Sequence, residues 1–252
     1  MFTRALTRTI GATVTAAALA GAISAVPASG SVPGQTRGAT LEAGRPVASE
    51  FTTGRITNPW FPLKPGVRMV YQGVDDGEPA RDVFYTTHQT RTIQGVTCRA
   101  VTDRLYLAGV LAERTTDWYA QSRNGDVWYF GERTAELDRH GHVTSREGSW
   151  LAGRDGARAG IYINAHPRVG DSHLQENYPG HAEDHYRILD ASARVTVPAV
   201  SSRNAVLTEE WTPLEPGVVD HKYYVRDIGV VAEQSVAGPR ETGRLVSIRH
   251  VR

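Results

Sequence analysis

Residues 113–136 read ERTTDWYAQSRNGDVWYFGERTAE. Two stretches rich in Thr, Trp, Tyr and Phe flank Asn124-Gly125, and Asn-Gly is the dipeptide that best tolerates the paired positive φ angles of a type I′ hairpin turn. A two-residue turn there sets Arg123 against Asp126, Gln121 against Trp128, Asp117 against Glu132 and Glu113 against Glu136. Side chains alternate between the two sides of a strand. Glu113, Thr115, Asp117, Tyr119 and Gln121 therefore share a face with Trp128, Phe130, Glu132, Thr134 and Glu136. Four carboxylates converge on one patch. A three-residue turn would shift the register by one and divide them between two faces.

Like charges directly opposed in a sheet cost a few tenths to roughly 1 kcal/mol per pair, so this patch needs a compensating partner. Three are chemically sensible. A hard cation such as Ca²⁺ takes several carboxylate oxygens. A proton shared between Asp117 and Glu132 would raise one of their pKa values and make them a catalytic general acid and base. Arginines of neighbouring strands could neutralise the acids on a solvated outer face. The aromatics Tyr119, Trp128 and Phe130 on the same face favour an inward orientation, with Glu113, Tyr119, Gln121, Trp128, Phe130 and Glu136 lining a binding site.

Working outward from the hairpin, alternating stretches rich in Val, Tyr, Trp and Thr recur between Gly, Pro, Asn and Asp clusters, the pattern of consecutive antiparallel strands. Candidate strands are 67–74, 82–90, 94–106, 110–120, 127–136, 142–149, 173–178, 183–197, 205–212, 219–225, 229–236 and 243–251. The fold class is all-β: a single antiparallel β barrel or curved β-clam of about eleven or twelve strands. The glycine-rich segment 148–171 breaks the rhythm and reads as a long structured loop, a candidate lid or rim.

Before this domain, residues 1–28 combine a basic start (Arg4, Arg8), an Ala-rich apolar run and the small-residue pattern Val26-Pro27-Ala28, a secretory signal peptide. Residues 29–50, rich in Gly, Ser, Ala and Pro, read as a disordered tether. Residues 51–252 form the barrel or clam domain. The expected location is secreted or extracellular, with no lipid anchor, because no Cys lies near the cleavage site. No other run approaches the about 18 apolar residues of a membrane span.

Net charge is +1 and basic residues are dispersed, which argues against nucleic acid or an anionic membrane as partner. Lysine occurs only at 64 and 222, which reads as a compositional bias towards arginine. Cys98, the single cysteine, precludes an intramolecular disulfide and reads as a buried, inert thiol. In extended chain, His181, Glu183 and His185 share a face and offer ligands suited to Zn²⁺, Cu²⁺ or non-haem iron, although consecutive ligands about 6–7 Å apart fit one ion poorly. HExxH, GxSxG, phosphate-loop and dinucleotide signatures are absent.

NPWFPLKPG (58–66), DWYAQSRNGDVWYFGE (117–132), GSWLAGRDGARAGI (148–161) and TPLEPGVVDHKYYVRDIGVV (212–231) resemble an uncharacterised family of exported bacterial β-rich proteins over residues 55–250. The last phrase is also similar to the closing strands of periplasmic β-clam lipoproteins that hold lipophilic ligands. The resemblance implies acids at Glu113, Asp117, Glu132 and Glu136, and adds Gln175-Glu176 and Ala182-Glu183-Asp184, so that Glu176 and Glu183 join the candidate binding residues. It does not include His181 or His185. Ser122 stands where the family has an acid, which argues against a Ca²⁺ loop in the turn.

The expectation is an exported protein whose β-barrel interior binds a small molecule at an acidic, aromatic-lined site. The alternatives are a hydrolase or isomerase using Asp117 and Glu132, and a Ca²⁺-stabilised structural domain.

Overall fold

The computed structural model describes residues 46–251. The expected signal peptide and most of the expected tether lie outside the described residues. Residues 48–50, assigned to the tether, instead form a 3-10 turn, Ala48–Glu50, docked on the hairpin tip: Arg123 donates its backbone N–H to Glu50 O at 2.7 Å.

Fifteen strands follow in order: β1 (Val67–Asp75), β2 (Glu78–Ile93), β3 (Val96–Leu107), β4 (Val110–Gln121), β5 (Val127–Leu137), β6 (Val143–Ser145), β7 (Trp150–Leu151), β8 (Arg158–Ile163), β9 (Ser172–Leu174), β10 (Glu176–Asn177), β11 (His185–Val197), β12 (Val200–Trp211), β13 (Val219–Val225), β14 (Gly229–Ala237) and β15 (Glu241–His250). They form one antiparallel sheet ordered β10-β8-β5-β4-β3-β2-β1-β15-β14-β13-β12-β11-β9, with β6 and β7 also pairing β5. The sheet is nearly closed into a barrel, as the alternation predicts.

The seam explains the closure. The run Ser172–Asn177 pairs with β11 through its first half and with β8 through its second, so one short segment hydrogen-bonds to both ends of the sheet. Gly160 allows the close approach, since a Cβ there would stand 2.3 Å from Gln175 O. The expected loop 148–171 is corrected here: it contains β7 and β8, and β8 is a wall strand beside β5. Its apolar stretch, Ala159–Ile163, is buried almost continuously and lacks the alternation that marks a one-sided strand.

One end of the barrel is plugged by residues 56–63. Asn58 Oδ1 accepts from the backbone N–H groups of Trp60 (2.8 Å) and Phe61 (3.2 Å), while its Nδ2 donates to Gly125 O. This local ring of bonds drives Phe61 inward against Tyr162, Tyr119 and Phe84, with ring centroids 4.5, 5.2 and 6.1 Å away. Such aromatic pairs contribute about 0.5–1.5 kcal/mol each beyond the burial of their area.

Candidate functional site

The hairpin β4–β5 turns through three residues, Arg123, Asn124 and Gly125, with Ser122 N–H bonded to Asp126 O at 3.0 Å. The expected two-residue turn is therefore corrected, and near the tip Gln121 faces Val127, Ala120 faces Trp128 and Tyr119 faces Tyr129. By itself this shift would have separated the acids. A β-bulge at Phe130-Gly131 then restores the register, so that Asp117 faces Glu132 and Glu113 faces Glu136. Gly131 is required at this point. Its φ is +133°, and a Cβ would lie 2.4 Å from Trp150 O.

The bulge also exchanges the aromatics. Tyr129, which the simple pairing places on the far side, stands inside beside Asp117 and Glu132. Trp128 and Phe130, expected with the acids, lie on the opposite face and pack edge-on against Phe51 at 5.7 and 5.4 Å. Gln121 is likewise committed elsewhere: its Oε1 accepts the backbone N–H groups of Thr57 and Asn58 and so ties the plug to the hairpin.

Inside the barrel, the Tyr129 hydroxyl is 2.6 Å from Asp117 Oδ1 and 3.1 Å from Glu132 Oε2. A phenol has one proton to donate, so two ionised carboxylates around it would leave one repelled and poorly bonded. Burial resolves the conflict by favouring neutral acids. It raises Glu132 well above the usual carboxylate range, with the charges of Glu176 and Asp117 adding to the effect, and it pushes Asp117 up to about 7, with Asp103 adding to the effect. Glu113 is pushed up to about 8, first by desolvation and then by Asp103; Thr115 Oγ1 donates to it at 3.2 Å. Tyr119 stacks on Tyr129 with centroids 4.6 Å apart.

Glu176 joins this group from the seam. Its Oε1 accepts from Trp150 Nε1 at 3.1 Å, and Trp150 stands edge-on to Tyr129. Across the lumen, Lys222 is buried between Glu210 (2.8 Å) and Glu233 (3.4 Å). Burial alone would lower its pKa; Glu210 and Glu233 reverse that and hold it as an ammonium. Glu210 also accepts from Thr208 Oγ1 at 2.9 Å and the Tyr224 hydroxyl at 3.0 Å. The lysine that composition explained away is thus the cation of an acidic interior. Its sequence signal was position: Lys222 alternates in step with Tyr224 in the run HKYYV.

Charge is sorted across the wall. On β3, β4 and β5 the acids Asp103, Asp117 and Glu132 are buried, while Arg104, Arg114 and Arg133 on the same strands are exposed. The near-zero net charge is a sum of two unlike surfaces.

The His181–His185 constellation does not assemble. Glu183 accepts a bond from the Gly180 N–H within a tight turn and does not join the lumen acids, His181 stacks on Tyr178, and His185 stacks on Trp211 with centroids 5.2 Å apart. Among the described residues no three His, Cys, Asp or Glu side chains converge with the spacing of a metal site. Cys98 is buried and its thiol is pushed up to about 12, chiefly by burial, in keeping with an inert role. No helix of the described residues is long and apolar enough to cross a membrane.

The fold and site define an acid-lined antiparallel β barrel. No protein-family model and no curated protein matches the chain. Two solved structures are similar in fold. A candidate exported protein with a YmcC-like fold from Bacteroides fragilis is 12% identical, with 75% of this chain and 98% of that one covered and a TM-score of 0.44. A candidate lipoprotein from Parabacteroides distasonis is 10% identical, with 76% and 99% covered and a TM-score of 0.43.

Proposed function

We propose that the protein is an exported binding protein that holds a small polar ligand in its barrel lumen, against Glu113, Asp117, Tyr129, Glu132, Glu136 and Glu176. The observation that carries this reading is the inward convergence of Asp117 and Glu132 on one tyrosine hydroxyl, both inside the wall and both raised in pKa. A purely structural interior would gain by replacing such groups with apolar ones, because buried charges rarely repay their desolvation. Export is supported by the signal-peptide pattern of residues 1–28.

A ligand bound only to the folded state raises the melting temperature by mass action. Screening the purified protein by thermal shift against neutral, anionic and cationic small molecules therefore yields at least one stabilising class, and the double variant Asp117→Asn/Glu132→Gln loses that shift. A lumen that no class stabilises overturns the proposal.

One observation favours a second reading, general acid–base chemistry by the catalytic pair Asp117 and Glu132. A carboxyl near 7 beside one held neutral is the pairing that separates a base from an acid at physiological pH. Turnover of a lumen ligand that Asp117→Asn abolishes while binding persists would select this reading.

A further inference from the structure

We infer that the lumen's ligand is an elongated organic oligoamine, held by ammonium groups spaced along the acidic wall; this rests on the lumen-binding reading above. Three features of the interior lead there. The first is the sign and sorting of charge. Asp103, Asp117, Glu132, Glu176, Glu210 and Glu233 are buried, and Lys222 is the ammonium among them, while Arg104, Arg114 and Arg133 of β3–β5 stand on exposed positions. An anionic ligand would be repelled by the carboxylates beside Lys222 and would keep the β4–β5 acids protonated, whereas ammonium groups favour release of those protons to solvent and pairing as carboxylates. Complementarity of potential therefore requires a ligand that donates hydrogen bonds and carries positive charge.

The second feature is an open valence. Glu233 is 6% exposed and pairs across the sheet with Lys222, which places it on the lumen side. Its Oε1 is 3.4 Å from Lys222 Nζ, but its Oε2 is buried without a hydrogen-bond partner. Asp220 pairs with Glu210 and shares that side, and its Oδ1 is also buried and unpartnered. Buried acceptors are almost always satisfied in folded proteins, so two such oxygens flanking one ammonium mark a place for a donor from outside the chain. Lys222 already holds Glu210 and Glu233 and leaves these oxygens over.

The third feature is spacing. The acids lie on β3, β4, β5, β10, β12 and β14, and among the described residues no three of them gather closely enough for one metal ion. A point cation answers one pair of carboxylates; a chain of ammonium groups separated by methylenes answers a row of them. The methylene links suit the apolar side chains between the acids, such as Val101, which faces Asp117, and Val231 on β14.

The experiment is isothermal titration of the purified protein with spermidine, putrescine, calcium chloride and maltotriose as separate probes. Spermidine is expected to bind saturably and at least tenfold more tightly than putrescine, with the weaker salt dependence of buried ion pairs. Glu233→Gln is expected to weaken spermidine at least tenfold, and Asp220→Asn, at a less enclosed position, about threefold, each variant being checked for an intact fold by circular dichroism. Spermidine affinity unaffected by both variants overturns the inference, as does calcium binding with the same dependence on Glu233. If maltotriose or another neutral molecule stabilises the protein and Asp117→Asn/Glu132→Gln removes that effect, while spermidine does not bind, the oligoamine class falls and lumen binding stands. If no probe of any class binds, both fall.

Discussion

On the β4–β5 wall Asp117 faces Glu132 with a tyrosine hydroxyl between them, whereas on the β12–β14 wall Glu210 and Glu233 face an ammonium. Both walls bury carboxyl groups, yet they neutralise them differently. The first relies on protons, because burial and mutual repulsion make the neutral acids cheaper than the ions. The second relies on Lys222, which stays charged because two carboxylates outweigh its desolvation. Burial still pushes Glu233 up to about 7 beside that lysine, so the difference teaches that one interior can neutralise its acids chiefly with protons on one wall and chiefly with an ammonium on the other.

The sharpest way to break the contrast is to remove the ammonium. Lys222→Met strands Glu210 and Glu233 as buried charges, and breaking a buried pair from one side costs about 3–5 kcal/mol. Urea denaturation is expected to report a loss of that size. A loss under about 1 kcal/mol would mean that the lysine wall, like the tyrosine wall, can be neutralised by protons alone.

A smaller effect is expected at the bulge. Gly131→Ala places a side chain at φ +133° against Trp150 O. It should cost about 1–3 kcal/mol, the range for a strained backbone position. The loss should be accompanied by altered fluorescence of Trp150, which contacts both Tyr129 and Glu176. An unchanged stability would show that the register of Asp117 against Glu132 does not depend on glycine.

The smallest effect is a slope. The Asp117 carboxyl binds its proton more tightly folded, at about 7, than unfolded, near 4. The folded state therefore holds more protons than the unfolded state across that window. The stability this contributes is complete below about pH 4 and is lost as pH rises through about 7. Glu113 acts with the same sign up to about 8. The melting temperature should fall between pH 5 and pH 8, and Asp117→Asn, which cannot ionise, should make that fall shallower. A fall equally steep in the variant would place the proton uptake elsewhere.

Much of the architecture was legible in the chain because strands with one buried face alternate. β1 and β13 match their candidate spans to within a residue. Segment 158–163 was not legible, because a strand buried on both faces has no alternation to read. The acid pairs Asp117–Glu132 and Glu113–Glu136 were found from a wrong turn. The tip contains one residue more than Asn-Gly alone implies, and the bulge at Phe130-Gly131 cancels the displacement for the acids. Between tip and bulge nothing cancels it, so Tyr129 replaced Trp128 and Phe130 beside the carboxylates.

The sequence by itself determined an all-β chain, the four acids of the hairpin and the two outer pairings, because side-chain alternation is a property of the strand and travels with it. Only the tertiary structure decided that the acids face inward, that Glu176 arrives from a seam more than forty residues along the chain and that Lys222 answers Glu210 and Glu233. Those facts depend on which strands become neighbours when a sheet curls and closes, and on the loss of water inside it. No local pattern encodes either.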